Sequence, residues 1–322
     1  MTAAAPAAAR PCWCGAAELT AFGGGYQRCN ACGTLVAQHA LPAAETVEDG
    51  FYGAEYWRGH QERDLGLPDI TQRARADLSG RCLHWLRVLL AHRLPPSRVV
   101  DVGCGHGAFV ALLRWAGFDA TGLELSPWVV EYARRTFDVP VHQGTLEAQA
   151  FPRGHLGVVV LNDVVEHLQD PARAVGHAAA VLEDDGLLVV QTPCAPEGVS
   201  HAALVRAGDS FLKMMEEVGH LFLFTRPSLR LLLERAGFVH VNETPACFGY
   251  DMHLVASRRP LTDLPATAAA EALQGTAAGR LVLALLDTAR ESEARRRRTI
   301  AQLLGPTVSR RLLAVLRRLR LA

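Results

Sequence analysis

Apolar positions in this chain follow two alternating rhythms. Short, nearly unbroken apolar runs recur between residues 99 and 257, separated by stretches whose apolar residues lie three or four apart. The first pattern suits strands covered on both faces, the second suits helices with one buried face. Strands are predicted at Val99–Val102, 119–126, Val139–Gln143, Leu156–Leu161 and Gly186–Thr192. The helices between them run from Phe109 to a stop at Gly117, from Trp128 to Phe137, and from Pro171 to Leu182. Ser126-Pro127 supplies an N-cap and a first helical residue for the second of these. Thr225 is placed to cap a further helix, Pro227 to Ala236, and Phe238–Thr244 with Asp251–Ser257 would close the sheet as a hairpin. Regular strand–helix alternation predicts an α/β fold with a doubly wound, mostly parallel, seven-stranded sheet.

Outside this block the rhythm changes. Leu78, Cys82, Trp85, Leu86 and Leu89 share one face of a helix over Ile70 to Arg93, which Pro95-Pro96 ends. Between it and the N-terminal region lies an aromatic stretch, Gly50 to Trp57. After residue 258 the chain reads as a helical extension over Ala266–Ala278, Arg280–Leu304 and Ser309–Leu321, with arginines among its leucines. The expected division is a small module at 10–40, a linker with covering helices at 41–97, a main domain at 98–258 with an insert at 194–224, and a helical tail at 259–322.

Composition narrows the class. With 49% hydrophobic residues, the 322-residue chain can bury a sizeable core. Its formal net charge of 0 gives no global attraction for nucleic acid. Charges interrupt every apolar run before it reaches membrane-spanning length, and Met1 to Ala9 lacks the basic and apolar regions of a signal peptide. A cytoplasmic location is therefore expected, and the arginine-rich tail is read as solvated helices that pack on the domain or pair between subunits.

A reducing location makes the cysteines informative. Four of the eight lie close together, as Cys12-Trp13-Cys14-Gly15 and Cys29-Asn30-Ala31-Cys32-Gly33. Four thiolates in a short segment suit tetrahedral zinc, whose binding would supply much of the module's folding energy. With all four positions used, the zinc is structural. An iron–sulfur cluster and four unrelated thiols are the alternatives.

The chemistry centres on Asp101-Val102-Gly103-Cys104-Gly105-His106-Gly107, a strand end, a glycine turn and a helix start. Such a loop lets backbone approach a nucleotide-like ligand closely. Glu124 closes the next strand 21 residues after Gly103, a spacing suited to gripping ribose hydroxyls. Asn162-Asp163-Val164-Val165-Glu166-His167-Leu168-Gln169-Asp170-Pro171 ends the fourth strand, and His220-Leu221-Phe222-Leu223-Phe224-Thr225 precedes the later helix.

Together these motifs resemble class I S-adenosylmethionine-dependent methyltransferases over roughly residues 70–258. The loop matches D/E-x-G-x-G-x-G, and the 162–171 string is similar to that of the branch holding ubiquinone-type O-methyltransferases. The resemblance implies a loop around the methionine end of the cofactor, formed by Asp101, Gly103, Cys104, Gly105 and Gly107. It implies Glu124 on the ribose, Leu125 and Leu146 by the adenine, and Asn162 facing the reactive centre. The sequence departs from the family at Leu156-Gly157, where phenylalanine and aspartate are common. With the cysteine module in front, the chain looks like methyltransferases of bacterial natural-product and surface-glycan pathways.

His167 and His220 are candidate bases, because imidazole titrates near working pH, and Glu166 is the next choice. A base implies O-methylation of a small-molecule hydroxyl most naturally. Two other readings stay open. One is a methyltransferase acting on RNA or protein with the cysteine module as reader, which would need a basic path from Arg28 and the tail to the pocket. The other is a non-catalytic cofactor-binding scaffold. A dinucleotide dehydrogenase fits less well, since no second half for a nicotinamide follows.

Overall fold

The computed structural model describes residues 10–38, 63, 66 and 68–318, with the side chains of 296–297 and 300–318 outside the description. The aromatic stretch 50–57 lies outside the described residues. The strands are β1 (Leu19–Gly23), β2 (Tyr26–Cys29), β3 (Leu35–Ala37), β4 (Arg98–Val102), β5 (Asp119–Glu124), β6 (Val141–Gln143), β7 (Leu156–Asn162), β8 (Leu182–Pro193), β9 (Phe222–Leu223), β10 (His240–Thr244) and β11 (Asp251–Ser257). The helices are α1 (Ile70–Ser79), α2 (Arg81–Leu90), α3 (Ala108–Trp115), α4 (Pro127–Phe137), α5 (Pro171–Val181), α6 (His201–Ala207), α7 (Arg226–Arg235), α8 (Ala266–Leu273) and α9 (Ala277–Arg318).

Seven strands form the main sheet in the order β10-β11-β8-β7-β4-β5-β6. From β6 to β8 all neighbours are parallel, while β11 and β10 add an antiparallel edge. The strand order reverses direction between β4 and β7, so a crevice opens at their carboxyl ends.

Period-two alternation divides the core into two layers. Val99, Val158, Val160, Leu187 and Val189 face one way, against α2, α3, α4 and the start of α9 through Leu86, Leu113, Val130, Val282 and Leu286. Val100, Val159, Leu161, Leu188 and Val190 face the other, against α5 and α7 through Val175, Ala178, Leu229 and Leu233. The buried cysteines of the N-terminal module, Cys12 and Cys29, join this second layer.

The expected caps form. Ser126 Oγ accepts from the Val129 N–H, Pro127 opens α4, and Thr225 pairs reciprocally with Ser228 at the start of α7. Gly157, where the sequence departs from the family pattern, lies in β7 against Ser97. A Cβ there would meet the Ser97 hydroxyl, so a side chain at that point requires Ser97 to turn away.

Three expectations need correction. The helix over 70–93 is two helices, broken at Gly80, whose φ −108° and ψ −102° leave the helical region. The strand expected from Gly186 starts at Leu182. The Arg258 guanidinium donates to the carbonyls of Ala179, Leu182 and Glu183 at this lead-in, where the pairing with β7 shifts register between Leu182 and Leu187. The tail has one long helix, α9, running through Gly305-Pro306, where two helices were expected.

The N-terminal module forms a second, antiparallel sheet in the order β1-β2-β3-β9. Its last strand belongs to the insert of the main domain, with Leu35 opposite Leu223 and Val36 opposite Phe222. The expected boundary between module and domain is therefore crossed by a shared sheet.

Candidate active site

The carboxyl ends of β4, β5, β7 and β8 surround a cavity of about 700 Å³. Asp101, Gly103, Cys104, Gly105, Glu124, Leu125, Leu146, Asn162, Glu166, His167 and His220 all line it. Gly107 stands apart from the cavity lining. It caps α3 in a left-handed conformation, and a Cβ there would meet Ala133 Cβ at 2.8 Å. The turn into α3 accounts for glycine at this position.

At the glycine-loop end, Gly103 has φ 64°, and a Cβ there would meet Val164 Cγ2 at 2.8 Å. The position therefore needs glycine on two counts. Glu124 Oε1 accepts from the N–H groups of Leu125 (2.8 Å) and Ser126 (3.0 Å), and Oε2 accepts from Gly105 N–H (3.1 Å). A carboxylate offers about four lone-pair sites, so one remains for a ribose hydroxyl. Burial pushes the Glu124 carboxyl up, opposed by those three N–H groups. Asp101 is pushed up to about 8 by burial and by Glu124 beside it. Asn162 is buried, and neither its Oδ1 nor its Nδ2 has a hydrogen-bond partner among the described residues. Unmade bonds on a buried amide are costly, and a ligand in the cavity is the natural partner.

Burial raises both carboxyls at this end, Asp101 and Glu124, and a bound cation would offset that cost. A sulfonium compound that also carries an ammonium group fits the same wall. The cradle at Gly103, the unpartnered Asn162 and the acid at Glu124 thus fit S-adenosylmethionine.

The opposite wall carries the candidate bases. Glu166 is fully buried, Thr192 Oγ1 donates to its Oε2 at 2.9 Å, and burial with Asp163 nearby pushes its carboxyl well above the usual range. His167 Nδ1 donates to the Gly219 carbonyl at 2.9 Å, and His220 Nδ1 donates to the Met214 carbonyl at 2.7 Å. A carbonyl can only accept, so each neutral imidazole carries its proton on Nδ1 and leaves Nε2 as an acceptor. Burial, with His220 beside it, holds His167 down to about 3. The two rings lie 4.8 Å apart, and ligand-capable atoms of Glu166, His167 and His220 fall within 4.8 Å of one another.

Sequence reading missed the network that roofs the cavity. Arg81 bridges Asp77 and Asp163 at 2.9 Å each, and Asp77 also meets His106 Nε2 at 2.8 Å. Gln191 Nε2 donates to Asp163 Oδ1 at 2.9 Å, and Trp85 Nε1 donates to Gln191 Oε1 at 2.9 Å. Asp163 holds a left-handed φ of 57°, an uncommon state for a non-glycine residue. Tyr250 and Asp251 also line the cavity from the sheet edge.

Some distance from the cavity, Cys12, Cys14, Cys29 and Cys32 converge, with ligand atoms within 4.8 Å of one another. Cys12 and Cys32 sulfurs lie 3.5 Å apart, and Cys14 and Cys29 sulfurs 3.6 Å apart. Zinc bonded to four thiolates at about 2.3 Å would set sulfurs about 3.8 Å apart, so the set fits the ion with small adjustment. Gly15 and Gly33, at φ 87° and 81°, turn the backbone so that each pair faces inward.

The glycine loop, acid and apolar sheet define an α/β domain that binds a nucleoside-bearing ligand at a topological switch point. The chain belongs to the methyltransferase-domain family, whose match covers residues 74–243. Similar proteins include a probable S-adenosylmethionine-dependent methyltransferase of Mycobacterium tuberculosis, 34% identical over 105 residues, covering 32% of this chain and 38% of the relative. A ubiquinone biosynthesis O-methyltransferase of Methylococcus capsulatus is 31% identical over 151 residues, covering 44% of this chain and 63% of the relative. Among solved structures, a possible histamine N-methyltransferase of Thermotoga maritima overlaps 59% of this chain and 96% of its own, with 21% identity and a TM-score of 0.43. The chain spans 38% of the length of the first curated relatives it matches. Among the described residues, no helix is long and apolar enough to cross a membrane.

Proposed function

We propose that this protein transfers a methyl group from S-adenosylmethionine to a hydroxyl of a small molecule, a sugar or natural-product intermediate. The observation that carries the cofactor assignment is the unpartnered, buried Asn162 in a cavity walled by Asp101 and Glu124. When bound, the cofactor supplies an electrophilic methyl on a sulfonium and leaves as a neutral thioether. The chain's own residues then have separable tasks. Glu124 takes the ribose, and Asp101 compensates positive charge at the methionine end. Leu125 and Leu146 cover the adenine. On the far wall Glu166, its carboxyl pushed well above the usual range by burial, lies beside the two imidazoles and accepts from Thr192. His167 is too weakly basic at about 3 to take a proton and orients the acceptor through Nε2. His220 Nε2 is left as the base that removes the acceptor's hydroxyl proton as the new C–O bond forms. Holding acceptor and methyl in line supplies much of the rate.

The cysteine module binds one structural zinc in this reading, with Cys12, Cys14, Cys29 and Cys32 as ligands. The alternative of an RNA or protein substrate loses a support. The Arg28 guanidinium lies 4.7 Å over the Phe22 ring and donates to the Val199 carbonyl, so it leads no basic path to the cavity. Calorimetry with S-adenosylhomocysteine tests the cofactor assignment. One bound ligand per chain is expected, and a folded protein without binding overturns it. Metal analysis is expected to return one zinc per chain, and His220→Ala should keep S-adenosylhomocysteine affinity while turnover falls.

A further inference from the structure

The N-terminal module is joined to the acceptor wall by a continuous set of backbone bonds. Its third strand, β3, pairs with β9, which starts two residues after His220. Ala37 N–H donates to the Leu221 carbonyl at 3.0 Å, and Leu221 N–H donates to the Glu166 carbonyl at 2.7 Å. Tyr26, on β2, donates its phenol O–H to the His220 carbonyl at 2.8 Å. His220 N–H meets the Glu216 carbonyl at 2.8 Å, and its ring Nδ1 meets the Met214 carbonyl. The peptide that carries the His220 ring is therefore held on one side by the module and on the other by the Glu166 backbone. Tyr26, which ties this peptide, and Ala37, which ties the next one, both lie within a dozen residues of Cys29 and Cys32.

We infer that the four-cysteine module is a built part of the acceptor wall, and that Tyr26 is a positioning residue that fixes the His220 ring through the His220 carbonyl. The inference rests on the reading of His220 as the group facing the acceptor. A tie to the carbonyl fixes the orientation of the 220–221 peptide and, with it, the direction of Cα–Cβ at His220. That direction sets whether Nδ1 reaches the Met214 carbonyl. With this bond made, Nε2 alone is the basic nitrogen, as proton abstraction at that atom requires. Tyr26 is 3% exposed and packs with Leu35, Leu204, Phe211 and Leu223, so its ring has a filling role that phenylalanine would keep. Its hydroxyl has the His220 carbonyl as partner, and Tyr26→Phe isolates that contact.

The experiment is ¹⁵N NMR of histidine rings in the full-length, zinc-loaded protein, with the His220 signals assigned by their loss in His220→Gln. In the wild type, His220 is expected to show one neutral tautomer, protonated at Nδ1. In Tyr26→Phe it is expected to show a mixture of both tautomers, with S-adenosylhomocysteine affinity unchanged by calorimetry. Stripping zinc from the wild type with a chelator should produce the same mixture, and adding zinc back should reverse it. A single Nδ1–H tautomer in Tyr26→Phe overturns the role of Tyr26. An unchanged His220 spectrum in protein shown to have lost its zinc overturns the role of the module. The ring spectra are also recorded without S-adenosylhomocysteine, so a failure to bind that ligand counts against the cofactor reading alone. If Tyr26→Phe fails to fold, the chelator series on the wild type decides the question by itself.

Discussion

The two halves of the cavity are built in different ways. Most of the cofactor half comes from one local unit, β4, the glycine loop, α3 and β5, between Asp101 and Leu125, with Leu146 and Asn162 added from further along the chain. The acceptor half is assembled from five separated segments. Arg81 comes from α2, Asp163 to His167 follow β7, Thr192 lies in β8, His220 precedes β9, and Tyr250 with Asp251 comes from the start of β11. A local unit can be fixed by backbone requirements alone. A wall of distant segments depends on pairings that each segment cannot specify by itself, here the Arg81–Asp163 bridge and the β3–β9 strand pair. Cofactor binding should accordingly respond steeply to single changes in the loop, and acceptor chemistry to changes far from the cavity.

The steepest break is at Gly103. Valine there must adopt φ 64° and place its Cβ 2.8 Å from Val164 Cγ2. A left-handed β-branched residue costs about 1–3 kcal/mol before the clash is counted. Gly103→Val should lower S-adenosylhomocysteine affinity by at least about 100-fold, the combined cost of strain and displaced backbone. Calorimetry on protein with a wild-type circular dichroism spectrum checks it. Retained affinity would mean that the loop is not where the cofactor sits.

Arg81→Met comes next, and it acts on the acceptor half. The substitution keeps an apolar stem under Trp85, whose ring the guanidinium overlies at 5.1 Å, and leaves Asp77 and Asp163 without their shared cation. Breaking a buried ion pair costs about 3–5 kcal/mol, and a side chain 20% exposed retains part of its solvent screening, so about 2 kcal/mol is expected. Urea unfolding measures it. If the cofactor half is independent, S-adenosylhomocysteine affinity should change far less than in Gly103→Val.

The same contrast explains what could be read before the structure. The glycine turn, the acid at 124 and the caps at Ser126 and Thr225 follow from conformational needs within a few residues, and each was legible as sequence. The Cys12–Cys14 and Cys29–Cys32 pairs were legible because metal-ligand chemistry restricts spacing. Arg81 carried no such signal. It is one of many arginines, and its two carboxylate partners lie 4 and 82 positions away. The break at Gly80 was hidden because apolar spacing continues across it, from Leu78 to Cys82. The strand at Phe222–Leu223 was hidden because a two-residue strand has no period to read, and only its partner β3 makes it one.

Asp101→Asn gives the smallest expected effect and separates stability from binding by sign. The native carboxyl is pushed up to about 8 by burial and by Glu124, while an unfolded aspartate titrates near 3.8. Between these values the native state holds a proton that the unfolded state has released. Stability from this group therefore falls as pH rises through that window, because the unfolded state binds fewer protons. Asparagine has no proton to lose, so its advantage should be absent near pH 4 and greatest near pH 8. After relaxation around the site, a gain on the order of 1 kcal/mol, or about 2 °C in melting temperature, is expected at pH 8. The same change removes a carboxyl that a bound cation would ionise, so S-adenosylhomocysteine and, more strongly, S-adenosylmethionine should bind less tightly. Melting curves of the ligand-free protein from pH 5 to 8, paired with calorimetry on both ligands, measure the two signs. Equal losses for the two ligands would show that Asp101 does not sense the sulfonium. A destabilised variant at pH 8 would show that the carboxylate is held ionised by the loop and belongs to the fold as much as to the ligand.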